Sequence, residues 1–268
     1  MSDRFSATVC LALVVALVIG GCEHKQQKDV DVFNVTPDTA TISVPSDYAA
    51  AAIKAAGGLD AWSNTKELQL DCVVTFYQPD GSSYLTEQHW DVYPWSNSIR
   101  LSGREPQGEF AWQLSKGRFE SLQGGDGAGS LPAAMGRRCF ADMVLNIVTV
   151  PARFLDQSVE FVRHSTPTKL QGRWYYTIDR RSKPDAESVQ PSAAAVFYQD
   201  RDKAVIDMIR LVCKDGQRFL IVRGYDYTEV EKGGISVPAR IEIFNSDAGG
   251  NLKDRLVSID FHALGKTK

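Results

Sequence analysis

The side chain whose setting most clearly points to chemistry is Cys22. It closes the tetrad Ile19-Gly20-Gly21-Cys22, at the end of the uncharged run Phe5–Cys22. An aliphatic residue, two small residues and a cysteine form a bacterial lipobox. The small residues let an extended chain enter a peptidase cleft, and the cysteine sulfur is the point where a diacylglycerol attaches. The sharper apolar stretch Val9–Ile19 fits the roughly 7–15 residues of a secretion-signal core. The whole run sits at the short edge of the roughly 18–20 residues that span a bilayer. On this reading residues 1–21 are a signal peptide and Cys22 is lipidated, holding the chain to a membrane from outside. A plain secretion signal and an uncleaved anchor are the alternatives, since Asp3 beside Arg4 leaves the leading segment only weakly positive.

The other reactive side chains form no constellation in the sequence. Beyond Cys22 and the leader, Cys72, Cys139 and Cys213 remain. Three thiols allow at most one disulfide, and their spacing fits no zinc pattern. His89, His164 and His262 share no motif, and there is no HExxH, GxSxG or CxxC. The Gly124–Gly129 stretch lacks the Lys-Ser/Thr that a phosphate cradle needs. The carboxylates are scattered along alternating segments, as on a solvated face. No catalytic residue, metal ligand or cofactor is expected. The net charge of −3 and the lack of a basic stripe argue against nucleic acid as a partner.

The elements that position these residues follow from composition and period. At 43% hydrophobic and 24% charged, the chain is globular. Residues 22–45 are polar and without period, a tether between the anchor and one domain over residues 46–268. Ser46 or Asp47 caps an alanine-rich helix that Gly57-Gly58 stops. From Leu68 the pattern switches to period two. Pro79-Asp80-Gly81, Lys116-Gly117, Lys214-Asp215-Gly216 and Asp247-Ala248-Gly249-Gly250 are turns, and Pro184–Pro191 is a linker. Arg138–Val150 is the one strong internal helix, with Pro151 at its end. The expected fold is mainly β: a single curled antiparallel sheet of about eleven strands, an incomplete barrel. Two or three helices cover its open side.

Large apolar residues recur at period-two positions of successive strands. Trp90, Phe110, Trp112, Trp174, Tyr176 and Phe197 lie on strands, and Phe140 and Val144 on the internal helix. They are candidates to line a cavity for an acyl chain or another greasy ligand; the alternative is that they fill the core.

Three segments carry a family resemblance. Ala55-Ala56-Gly57-Gly58-Leu59-Asp60-Ala61-Trp62 precedes the first strand. Val150-Pro151-Ala152-Arg153-Phe154-Leu155-Asp156 leads through Val159–Val162 to Leu170-Gln171-Gly172-Arg173-Trp174-Tyr175-Tyr176. The third is Gly234-Ile235-Ser236-Val237-Pro238-Ala239-Arg240-Ile241-Glu242-Ile243-Phe244. Together they resemble the lipoprotein-localisation carrier superfamily, the LolA/LolB-like lipoprotein-sorting proteins. The resemblance implies an incomplete barrel plugged by helices, with the Arg138–Val150 helix in the lid. It also implies binding of acyl chains without a cofactor or bond chemistry. The expected partners are thus the membrane, through the lipid anchor, and a hydrophobic ligand such as lipid. An interaction or sensor module that binds another envelope protein is the alternative, and an enzyme lacking a known motif is a third. The expected location is the periplasm-facing envelope. The outer membrane is favoured over the inner because Glu23, not aspartate, follows the cysteine.

Overall fold

The structure, a computed structural model, describes residues 46–105, 108–124, 135–156, 159–182, 195–212, 218–231 and 234–267. The signal peptide, Cys22 and the tether lie outside the described residues. So do most of the Gly124–Gly129 loop, the Pro184–Pro191 linker and the Lys214-Asp215-Gly216 turn.

Ser46 caps the first helix, α1 (Asp47–Ala55), with extended backbone and a side chain that accepts from the Ala49 N–H. Asp47 in its first turn and Lys54 in its last suit the helix dipole. The chain then reverses at Gly57, where φ is +111° and an added Cβ would sit 2.6 Å from the Gly234 carbonyl oxygen. Only glycine fits so close an approach. The freed Ala56 carbonyl accepts from the Trp62 indole N–H at 2.9 Å and from the Ser236 N–H at 2.9 Å. One oxygen thereby joins α1, the short α2 (Leu59–Ser63) and a strand far along the chain.

Among the described residues, thirteen antiparallel strands form one sheet. They are β1 (Glu67–Tyr77), β2 (Ser83–Tyr93), β3 (Ser98–Glu105), β4 (Gly108–Ser115), β5 (Arg118–Gln123), β6 (Val159–Arg163), β7 (Thr168–Leu170), β8 (Arg173–Ser182), β9 (Ala195–Asp200), β10 (Ile206–Val212), β11 (Phe219–Glu229), β12 (Ser236–Ser246) and β13 (Leu252–Thr267). The order is β5-β4-β3-β2-β1-β13-β12-β11-β10-β9-β8-β6, with β7 paired to β8. Two meanders thus meet where β1 pairs with β13, and the sheet does not close. Alternation fixes which face is inner. On β1, Leu68, Leu70, Cys72, Val74 and Phe76 are at most 1% exposed, and the residues between them face outward. The mainly β fold, a single curled antiparallel sheet with few helices, is as expected, with thirteen strands among the described residues where about eleven were expected. One strand absent from the pattern is β7, whose three residues are too short to show a period.

The inner face is filled by α3 (Arg137–Arg153), buried around its circumference from Met143 onward. The helix runs further than Arg138–Val150, because Pro151 lies inside it. Proline removes the N–H that would bond residue 147 and clashes with the preceding turn. The strain is taken by Thr149, which leaves helical geometry at φ −111°, ψ 15°; its hydroxyl donates to the Leu145 carbonyl at 2.6 Å. Cys139 in α3 is disulfide-bonded, to a partner outside the described residues. Cys72 is free and buried, and burial pushes its thiol up, away from nucleophilic use. No helix among the described residues is long and apolar enough to cross a membrane.

Candidate functional site

Six of the residues expected to line a cavity come together beneath and on α3. Trp90, Phe110, Trp112, Phe140, Val144 and Phe197 belong to one apolar cluster, none more than 5% exposed. Phe140 reaches down from α3 to Phe76 at 5.9 Å between ring centroids and to the edge of Trp90 at 6.1 Å. Phe110 lies against Trp112 at 4.6 Å. Phe197 meets Phe154, just past α3, and Phe161 on β6. Such offset and edge-on pairs add to plain burial.

Trp174 and Tyr176 do not join this cluster. Trp174 is 40% exposed, and Tyr176 is half-buried with the Arg163 guanidinium over its ring at 4.5 Å. Both lie near the start of β8, beside the β7 hairpin. Their neighbour Tyr175 is buried on the opposite face, in a small cluster with Tyr198, Met208 and Ile221.

A polar seam holds α3 to its surroundings. Asn146, 1% exposed, donates to the Asp142 carbonyl at 2.7 Å and to its carboxylate at 3.1 Å. It accepts from the Arg180 guanidinium of β8 at 2.9 Å. Arg153 donates to the Pro94 carbonyl. Burial raises the Asp142 carboxyl, against the pull of Arg180, Arg138 and Arg153. Burial likewise lowers Arg180, and brings Arg153 down to about 10. The sequence hides this seam, since polar residues on a helix ordinarily face water.

Several buried polar atoms near the inner face have no hydrogen-bond partner among the described residues: the Trp112 indole nitrogen, the Tyr84 hydroxyl and the Arg153 Nε. A buried donor left unpaired costs about 1–3 kcal/mol, and native structures rarely carry one without a reason. Trp112 is 1% exposed, with the Arg137 guanidinium 4.9 Å from its ring.

On the outer face lies a groove of about 530 Å³, lined among others by Asp71, Glu87, His89, Ser102, Arg104 and His262. The β-bulge opposite Asp71/Cys72 puts His262 beside this row. His89 Nδ1 is 2.5 Å from Asp71, and Nε2 is 3.1 Å from Asp91. Neutral imidazole can donate from only one nitrogen, so this clamp suits imidazolium. Burial lowers the His89 pKa, but the bonds and charges of Asp71 and Asp91 outweigh it and leave it raised. Asp71, His89 and Ser102 lie side by side on β1, β2 and β3, an acid, base and hydroxyl in sequence. The Ser102 hydroxyl, however, points to the His89 carbonyl at 3.5 Å, and both ring nitrogens are occupied. The row is not a nucleophile–base pair. Sequence reading missed it because the three residues meet only through strand register. Among the described residues no three His, Cys, Asp or Glu side chains form a metal-binding group.

Comparison with known proteins shows the fold. No protein-family profile and no curated protein matches the chain. Among solved structures it is similar to a LolA superfamily protein from Nitrosomonas europaea, with a TM-score of 0.53 and 10% identity over 82% of this chain and 94% of that one. A DUF1329 family protein from Desulfovibrio piger matches at TM-score 0.44 and 11% identity, over 82% of this chain and 91% of that one. A putative outer membrane lipoprotein-sorting protein domain from Vibrio parahaemolyticus matches at TM-score 0.43 and 8% identity, over 75% of this chain and 86% of that one. The chain has a LolA-like fold.

The clamp on His89 predicts a pH dependence. A raised folded pKa stabilises the fold fully below the unfolded value of about 6.5, and that contribution fades as pH rises through the folded value. His89 should titrate in an NMR series above the free-histidine midpoint, and Asp71→Asn or Asp91→Asn should lower it. The stability gap between wild type and His89→Gln in urea should shrink as pH rises. A His89 midpoint at or below that of free histidine contradicts the clamp.

Proposed function

We propose that the chain is a lipid-anchored envelope protein that binds a hydrophobic ligand, lipid or the acyl chains of another lipoprotein, on the inner face of its sheet. The part of α3 before Thr149 serves as the removable cover. The observation that carries this reading is the unpaired Trp112 indole nitrogen inside an aromatic cluster beneath a kinked helix. A greasy ligand with ester carbonyls meets both features. Its methylenes replace the α3 side chains on Trp90, Phe110 and Phe197, at about 0.8 kcal/mol per buried methylene. A carbonyl oxygen accepts from Trp112. The non-helical Thr149 suits a helix arm that swings while Arg153 stays tied to Pro94, a motion that gives up the Asn146–Arg180 tie. No bond chemistry is needed.

One observation favours a second reading, an interaction module whose interior stays filled. The helix is buried from Met143 through Phe154, so in this state α3 itself occupies the inner face.

Native mass spectrometry of gently extracted protein separates the two. The carrier reading expects co-purifying lipid. It also expects Trp112→Phe, which deletes the orphan donor, to keep or raise stability while weakening lipid retention about fivefold or more, the value of one neutral hydrogen bond. Empty protein that takes up no fatty acid on incubation rejects this reading.

The anchor has its own test. Labelled palmitate should be incorporated by the wild-type chain and not by Cys22→Ser. Equal labelling of both would remove Cys22 from the account.

A further inference from the structure

Trp174 stands apart from the other large aromatic residues. It is 40% exposed, whereas Trp62, Trp90 and Trp112 are 1% or less. Two cations flank it: the Lys169 ammonium lies 5.9 Å and the Arg201 guanidinium 5.8 Å from the ring centroid. Their placement is built into the backbone. Lys169 faces Trp174 across the β7–β8 hairpin, whose turn residues Gln171 and Gly172 both have positive φ. That is the two-residue turn matching strand twist. The Arg201 N–H donates to the Trp174 carbonyl at 2.9 Å. The Asp200 carboxylate fixes the next turn by accepting from the N–H groups of Asp202 and Lys203 at 2.9 and 2.8 Å.

Lys169, Arg173, Arg201 and Lys203 stand against Asp200, Asp202 and Asp207, which leaves this tip with a slight positive excess. Asp200 and Asp207 are both bonded to Arg173. Asp202 lies 3.1 Å from Arg201 and offsets part of its charge. Lys169 and the exposed Lys203 stand beside them.

The chain also enters the domain here. Gln199 donates its side-chain amide to the Tyr48 carbonyl at 2.9 Å and to the Ala204 carbonyl at 3.2 Å. This ties the start of α1 to the turn that carries Arg201. The start of α1 therefore lies at the end that presents Trp174.

We propose that this end, Trp174 with Lys169 and Arg201, is a docking surface for an anionic lipid bilayer. An indole settles at the headgroup level, where its apolar body and N–H are both accommodated. Flanking Lys and Arg keep their charged heads at the phosphates. Residues 22–45 span at most about 80 Å by length alone, and length sets no orientation for the domain. The patch gives it one orientation. The lipid-anchor reading of Cys22 is used only to say where the membrane lies. The experiment needs no anchor, so the two readings fail separately.

The test uses residues 22–268 carrying Cys22→Ser, mixed with vesicles of phosphatidylcholine alone or with phosphatidylglycerol. Co-sedimentation gives partitioning, and brominated lipid quenches indoles that reach the bilayer. The proposal expects binding that requires phosphatidylglycerol and weakens with salt. It expects quenching that is lost in Trp174→Phe, and about fivefold weaker binding for each of Lys169→Gln and Arg201→Gln. Trp174→Phe keeps an aromatic ring, so it reports even if Trp174→Ala fails to fold. Binding that ignores phosphatidylglycerol, quenching that survives Trp174→Phe, or no vesicle binding at all overturns the proposal. So does lipid-free self-association that depends on Trp174, which would make the patch an interface between copies.

Discussion

A thirteen-stranded sheet that curls without closing leaves a concave apolar face that must be shielded from water, and the rest of the molecule is arranged around that requirement. The inner face is lined mainly by Leu, Ile, Val and large rings, as in the Leu68–Phe76 row with Cys72 among them. A helix takes the inner space. This explains why α3 is buried nearly all round from Met143 onward although it carries Asp142, Asn146 and Arg153. It also explains why α1 and α2 are short and pinned through the single Ala56 carbonyl to β12. They hold position beside a core whose main contacts belong to α3.

The same constraint accounts for the polar seam. A helix enclosed on every side has nowhere to put Asp142, Asn146 and Arg153 except against partners. Arg180 comes from β8 and the Pro94 carbonyl from the loop after β2. Breaking one member of such a network strands the others in low dielectric, so the helix rests in a defined register. The kink at Thr149 divides it into an arm that covers the aromatic cluster and a stub that carries Arg153. The cover and the covered surface are thus chemically distinct: polar ties at the seam, and dispersion and area burial beneath. In the proposed carrier role, that division is what a hydrophobic ligand would exploit to compete for the aromatic face without unfolding the sheet.

The strands were legible because side-chain period two is a direct consequence of the pleat. The alternation from Leu68 onward gives the buried face of β1 residue by residue. What periodicity states, however, is which face a side chain is on, not what covers that face. Trp174 shares its strand parity with Ile178, which is fully buried, yet it lies where the three-residue β7 and a tight turn leave the face open. Pro151 stops a helix in the sequence because the proline rule is local; Thr149 absorbs the strain and lets the turn continue. The Asp71–His89–Ser102 row and the Asn146–Arg180 tie bring together residues 13 to 34 positions apart. Only strand register and helix docking make them neighbours, and one sequence holds neither.

The central claim is that α3 is a cover separable from the sheet, not a core element that leaves only on unfolding. Native-state hydrogen exchange of the α3 amides measures this directly, because sub-global opening shows as a protection free energy below that of the whole fold. The account predicts that amides on the arm before Thr149 exchange with clearly lower protection than those of the paired β1 and β13. If those arm amides match β1 and β13, opening only with the whole sheet, α3 is permanent core and the ligand-binding account is wrong.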